Sequence, residues 1–355
     1  MNLLAVVGAR PNFVKMAPLV GALLEHDGVT VDVVHTGQHY DHALAGSFIE
    51  QLRLPEPRFA LNVGSGTHAH QTAAVMTATE DILAEHPYDG VIVAGDVNST
   101  MAAALAAVKL HVPVVHLESG LRSRDWTMPE EINRVVTDRV SDVLLCPSAD
   151  GVANLEAEGV SPERIHLVGN TMIDSLHRML PPARERDAAA GLGLEGDFVL
   201  ATLHRPALVD DPERLAATIA VLEDVAGTLP VVFPVHPRTR SRLAAEPERV
   251  RLLDPVDYLT FLSLQEAARL VVTDSGGVQE ETSVLGTRCL TYRTTTERPI
   301  TTELGTNTLV PGGPDDLLAA CRAALAEPPS EPAAIPLWDG AAGPRAAAAI
   351  VAALS

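Results

Sequence analysis

Residues 1–24 read MNLLAVVGARPNFVKMAPLVGALL, and this opening stretch decides the fold. Leu3-Val7 is a short apolar run that stops at Gly8, and from Phe13 to Leu24 apolar residues recur at helical spacing. The stretch therefore reads as a strand, a glycine turn and a helix. It lacks the basic leading segment of a signal peptide and reads as the first strand of a fold instead.

The same unit recurs along the chain. Apolar runs at Val31-His35, Gly90-Ala94, Val112-Leu117, Val143-Cys146 and Ile165-Val168 alternate with helical patterns such as Gln71-Ala84 and Thr100-Lys109. The second half repeats the theme at Phe198-Thr202, Val231-Val235, Val250-Leu253, Leu270-Thr273, Arg288-Tyr292 and Thr308-Val310. Continuous apolar strands between helices predict parallel sheets covered on both faces, hence an α/β protein of two doubly wound, Rossmann-like domains. We place the domains at 1–172 and 190–340. A linker at 173–189 joins them, where the sequence turns to Pro, Arg, Ala and Gly without a strong apolar face. The Ala-rich tail reads as a closing helix, 341–355, that packs back on the first domain. Ligands of open parallel sheets bind beyond the carboxyl ends of the strands. Two such domains facing each other make a cleft, and the polar residues just after the strands are the ones to inspect.

Composition narrows the ligand. The 355 residues are 46% hydrophobic and 20% charged with a formal net charge of −20, which excludes disorder and makes nucleic acid and anionic membrane surfaces poor partners. Any anionic ligand must meet a local cluster of cations. Lys15 and Lys109 are the lysines, and every other of the 26 basic residues is arginine, so a lysine following a glycine turn stands out. Aromatic residues make up 3%, too few for a stacking platform for carbohydrate. Cys146, Cys289 and Cys321 form no C-x-x-C pair, which fits a reduced, cytoplasmic setting without structural zinc. No apolar run approaches the roughly 20 residues of a membrane span.

Each strand end carries a candidate with an ordinary alternative. Gly8-Ala9-Arg10-Pro11-Asn12 opens onto a helix carrying Lys15, an arrangement that offers N–H groups and positive charge to an anion, or that is simply a turn with solvated charges. It matches neither G-x-G-x-x-G nor the P-loop, so dinucleotide hydride transfer and nucleotide hydrolysis lose their signatures. Ser275, Gly276 and Gly277 follow Leu270-Thr273, and a phosphate can approach glycine backbone closely; the ordinary reading is an N-cap serine. Glu280 and Glu281 lie on the helix that follows, where a carboxylate can accept the two hydroxyls of a ribose. Arg293 and Arg298 sit in the next strand-end loop and suit a diphosphate. Asp96, Glu118 and Glu130 occupy equivalent places in the first half, where converging carboxylates divide acid and base roles. The ordinary alternatives are N-capping for Asp96 and a helix start at Pro129 for Glu130 and Glu131. His204-Arg205 and His236 follow strands of the second half, whereas His39, His42, His68 and His70 lack the spacing of metal ligands.

Together these residues resemble the non-hydrolysing UDP-N-acetylglucosamine 2-epimerase family. The matching text runs through GARPNFVKMAPLV, HTGQHYDHAL, AGDVNSTMAAALAA, HLESGLRSRDWTMPEEINRVVTDRVSD, VGNTMIDSL, ATLHRPALVDDPERL, PVHPRTRSRL, VTDSGGVQEETSVLG and TERPITTELGTN. The resemblance implies a glycosyltransferase B-like fold and a reaction in which UDP leaves C1 as the C2 proton is removed. A bound 2-acetamidoglucal results, and UDP adds back with C2 inverted. It implies Asp96, Glu118 and Glu130 as the acid/base set and His204 at the leaving diphosphate. Arg10, Lys15, His236, Ser275, Gly276, Gly277, Glu281 and Arg298 form the expected UDP-sugar site, and Gln38, His39, Gln71 and Arg205 a possible regulatory site. It implies no cofactor or metal, a UDP-sugar partner and a homodimer.

Departures from the family pattern keep other readings open. Ala207 and Asn12 replace expected glutamates, His70 replaces an acid, and Asp41 differs within the segment tied to activation. The alternatives are an epimerase for a modified UDP-2-acetamido sugar, a hydrolysing relative releasing UDP and N-acetylmannosamine, a glycosyltransferase of the same fold, and a non-catalytic UDP-sugar binder.

Overall fold

The computed structural model describes residues 1–37, 52–64 and 66–355, apart from the side chain of Arg10. Its chain divides into two compact units, residues 1–175 with 336–355, and residues 176–335.

The first unit holds a parallel sheet of β1 (Asn2–Val7), β2 (Thr30–His35), β3 (Phe59–Ala60), β4 (Gly90–Ala94), β5 (Val114–Leu117), β6 (Val143–Cys146) and β7 (Ile165–Leu167). Their spatial order is β3-β2-β1-β4-β5-β6-β7. The helices are α1 (Arg10–Leu23), α2 (His68–Glu85), α3 (Asn98–Lys109), α4 (Pro129–Val140) and α5 (Ala149–Ala157). Central strands such as β4 are buried at every residue, which is why their sequences read as unbroken apolar runs. Strand β3 escapes sequence reading because two residues carry no periodicity.

The second unit repeats the plan with β8 (Val199–Thr202), β9 (Val231–Pro234), β10 (Val250–Leu253), β11 (Leu270–Thr273), β12 (Cys289–Thr291) and β13 (Asn307–Leu309), in the order β10-β9-β8-β11-β12-β13. All recorded pairs are parallel, and Thr273 of β11 lies beside Thr202 of β8. Here lie α6 (Thr171–Arg186, shared with the first unit), α7 (Ala188–Gly191), α8 (Pro206–Val209), α9 (Pro212–Ala226), α10 (Pro237–Arg240), α11 (Tyr258–Ala267), α12 (Gly276–Leu285), α13 (Pro299–Glu303) and α14 (Pro314–Ala326). Helix α15 (Ala342–Leu354) returns to the first unit and packs on α1, where the backbone of Gly343 approaches Pro18 so closely that a Cβ would lie 2.6 Å from its carbonyl oxygen.

One expectation needs correction. Residues 173–189, read as a linker, are largely helical, within α6 and the start of α7. Met172, Ile173, Leu176, Met179 and Ala183 form a buried stripe at intervals of three and four, which the prolines at 181 and 182 disguise.

Candidate functional site

In the first unit the strand order reverses at β1, with β2 on one side and β4 on the other. Such a reversal is where doubly wound sheets take ligands. The loops after β1, β4 and β5 meet there. Gly95, just after β4, has φ +67°, and a Cβ on it would lie 3.1 Å from both Glu118 Oε2 and Lys15 Nζ. Glycine thus lets the β4 loop close onto that pair. Glu118 itself has φ +68°, a left-handed conformation that costs a non-glycine residue roughly 1–3 kcal/mol and gathers at functional positions. Its backbone N–H and that of Ser119 both donate to the Leu145 carbonyl at 3.1 Å, so the strand breaks off and turns the carboxylate toward Lys15. Lys15 donates to Glu118 Oε2, with both side chains less than a tenth exposed. Asn12 is buried beside them, accepting from the Ala9 N–H and donating to the Ala94 carbonyl.

Asp96 does not cap a helix. Val97 occupies the cap position of α3 without a side-chain bond, and Asp96 Oδ2 accepts from Arg134 Nη2 at 2.7 Å. The other arm of Arg134 pairs with Glu131, which is buried and also accepts from the backbone of Ser123 and Arg124. Glu131 is therefore an anchor for the loop before α4, while Glu130 is half-buried and makes no side-chain hydrogen bond or ion pair with any described residue. Asn133 donates to the Asp96 carbonyl at 2.8 Å, and Gln71 accepts from Asn98 at 2.9 Å. A cavity of about 360 Å³ beside these amides is walled by Ala73, Met76, Met101 and Ile132.

Beneath this cluster lies a buried relay that sequence reading misses. His116 is fully buried, its Nδ1 2.6 Å from Asp138 Oδ1 and its Nε2 2.9 Å from the Gly95 carbonyl. Both neighbours are acceptors, so each ring nitrogen faces a group to which it can donate. Asp138 also receives the Gly120 N–H at 3.1 Å and Arg122 at 2.7 Å. Burial alone would raise its carboxyl, but His116 and Arg122 outweigh burial and hold it below the usual range.

In the second unit the order reverses at β8 and β11, and the loops after both strands interlock. Asp274 is 1% exposed and accepts the His204 N–H at 2.9 Å and the Arg205 N–H at 2.8 Å. Arg205 Nε donates to the Asp274 carbonyl at 2.9 Å. Ser275 precedes α12 but makes no capping bond, so the first turn of that helix keeps its N–H groups. A Cβ on Gly276 would lie 2.7 Å from Glu297 Oε1 and 2.5 Å from Arg298 Nη1. Arg298 is 5% exposed between Glu297 and Glu280, and Glu297 also pairs with Arg293 at 2.7 Å. The structure thus gives Lys15 and Arg298, both read as anion contacts, carboxylate partners of their own. Glu281 accepts from Tyr258 Oη and Gln265 Nε2, each at 2.7 Å; burial raises its carboxyl, opposed by those two bonds. His236 is exposed, and its Nδ1 accepts the Arg238 N–H at 3.2 Å.

Arg10 opens α1, but its side chain, like Gln38, His39 and Asp41, lies outside the described residues. Among the described residues no group of three His, Cys, Asp or Glu side chains is placed to hold a metal ion, and no helix is long and apolar enough to cross a membrane. Glu131, Arg134, His116, Asp138, Asp274 and Glu297 emerge only from the structure. All six sit inside the quoted motifs, yet their partners lie up to 70 residues away.

A family profile described as UDP-N-acetylglucosamine 2-epimerase matches residues 22–351. The chain is 41% identical over 92% of both lengths to UDP-2,3-diacetamido-2,3-dideoxy-D-glucuronate 2-epimerase of Pseudomonas aeruginosa. It is 38% identical, again over 92% of both, to UDP-N-acetylglucosamine 2-epimerase of Methanocaldococcus jannaschii. The crystal structure of the latter organism's UDP-GlcNAc 2-epimerase in complex with UDP-GlcNAc and UDP matches with a TM-score of 0.92 at 37% identity, covering 99% of this chain and 100% of that one.

Proposed function

The chain belongs to the UDP-N-acetylglucosamine 2-epimerase family, and on that premise we propose that it interconverts UDP-GlcNAc and UDP-ManNAc. The observation that carries the reading is the cluster at the first unit's strand reversal: Glu118 in a left-handed backbone, paired with Lys15, against the Gly95-Asp96 turn. A sugar C2–H has no adjacent carbonyl and is a poor acid, so its removal must be concerted with departure of the C1–O bond. The C–H electrons form the C1=C2 bond, the proton passes to a carboxylate, and UDP leaves with the C1–O electron pair. Re-addition of UDP to C1, with a proton delivered to the opposite face of C2, completes the inversion. Asp96, Glu118 and Glu130 serve as the acid/base set. Protonation would cost Asp96 or Glu118 an ion pair, whereas Glu130 has no such pair among the described residues.

On the nucleotide side, the N–H groups of Gly276 and Gly277 in the uncapped first turn of α12 meet the diphosphate together with the Ser275 hydroxyl, with Arg10 and His204 as further contacts. Glu281 takes the ribose hydroxyls, and Lys15 and Arg298 act through the carboxylates they hold in place. His236 offers Nε2–H to the nucleotide. Gln38, His39, Gln71 and Arg205 are proposed as a regulatory set. A homodimer and a cytoplasmic setting complete the proposal; sedimentation and fractionation test them.

A second reading is supported by the Pseudomonas aeruginosa relative, named for a diacetamido sugar acid, and by Ala207 and Asn12 where the family pattern has glutamate. Phosphorus and proton NMR of purified protein with a panel of UDP sugars separates the readings. Conversion of UDP-GlcNAc to UDP-ManNAc without free UDP supports the proposal. Turnover confined to a modified sugar favours the second reading, and stoichiometric free UDP overturns both.

A further inference from the structure

Asp274 is buried; among the described residues its carboxylate accepts the backbone N–H groups of His204 and Arg205, and its Oδ1 lies 3.1 Å from His204 Nδ1. The His204 ring is 43% exposed, and its Nε2 has no partner among the described residues. An ionised carboxylate accepts and never donates, so the ring nitrogen facing it carries the proton. We propose that Asp274 is a positioning residue for His204, fixing its ring with Nδ1–H toward the carboxylate and Nε2 outward beside the Ser275-Gly277 loop.

Two consequences follow from that arrangement. With Asp274 holding Nδ1–H, a proton on Nε2 points outward and can be donated to a departing diphosphate. The two backbone bonds hold the β8 loop rigidly, so the ring need not be ordered when substrate arrives. The proposal rests on His204 meeting the diphosphate, and its structural half is measurable without substrate. Asparagine at 274 would keep an oxygen for the backbone N–H groups but turn an amide N–H toward Nδ1. The neutral ring would then shift its proton to Nε2, and the charged form would lose its counter-ion.

The test uses full-length protein labelled with 15N-histidine, with long-range proton–nitrogen correlation spectra at alkaline pH, the His204 signals being those absent from His204→Gln. The expected result is a proton on Nδ1 in the wild type and on Nε2 in Asp274→Asn. A wild-type ring protonated on Nε2 overturns the proposal, and this spectrum decides it even if the variant does not fold. In turnover, Asp274→Asn should lower kcat about 100-fold with KM changed far less. In a His204→Gln background it should cost nothing further, because a residue acting through His204 has nothing left to act on. Additive losses would assign Asp274 a structural role instead. If no UDP sugar turns over, the functional reading fails while the tautomer result stands.

Discussion

At the scale of single residues, charge is matched before ligand arrives. Lys15 with Glu118, Arg134 with Glu131 and the partly exposed Asp96, and Arg298 with Glu280 and Glu297 are paired opposites whose cations are buried. Breaking such a pair leaves an uncompensated buried charge, which costs about 3–5 kcal/mol. Lys15→Met should therefore destabilise the protein by about that amount in urea unfolding, and adding Glu118→Gln should recover most of it. Asp138 gives a pH signature. Its carboxyl lies below the ordinary aspartate value of 3.8, so its stabilisation is complete above that value and fades as pH falls through the lower folded value. Asp138→Asn should flatten the acid limb of a stability-versus-pH curve while lowering stability at neutral pH. The strand-end candidates were legible because position after an apolar run is a local property. Arg134, Asp138 and Asp274 were not, since a charged residue on a helix or loop reads as solvated until the fold supplies its partner.

At the scale of elements, two expectations turn on ends of helices. Serine before a helix is ordinarily a cap worth about 1 kcal/mol, yet Ser275 makes no capping bond to α12. Ser275→Ala should then change unfolding free energy by less than about 0.5 kcal/mol while weakening UDP binding, read by calorimetry. A stability loss of a full cap with UDP affinity intact would return Ser275 to the ordinary role. Helix α6 shows the opposite failure of sequence reading. Its two prolines and three arginines within residues 171–186 suggested a joint, while its buried stripe continues through them. Leu176 is 0% exposed, so Leu176→Ala should cost about 2–5 kcal/mol in thermal or denaturant unfolding, a loss no linker would show. The strands other than β3, by contrast, were legible to within about two residues, because the central ones are buried on both faces and read as unbroken apolar runs.

At the scale of the molecule, a net charge of −20 coexists with a proposed anionic substrate. The excess of acids excludes extended polyanions, which respond to the whole surface field. A nucleoside diphosphate responds to a local cluster, and here two interlocked loops offer uncapped N–H groups and a histidine backed by a buried carboxylate. Both units place their candidate loops where strand order reverses, β1 with β4 and β8 with β11, so one topological rule picks out both halves of the proposed chemistry. The central claim is that Asp96, Glu118 and Glu130 move the proton at C2 of a UDP-2-acetamido sugar. NMR of UDP-GlcNAc incubated with the protein in heavy water tests it most directly. The account predicts UDP-ManNAc carrying deuterium at C2, with exchange lost in Glu118→Gln. Product that retains protium at C2 would contradict it.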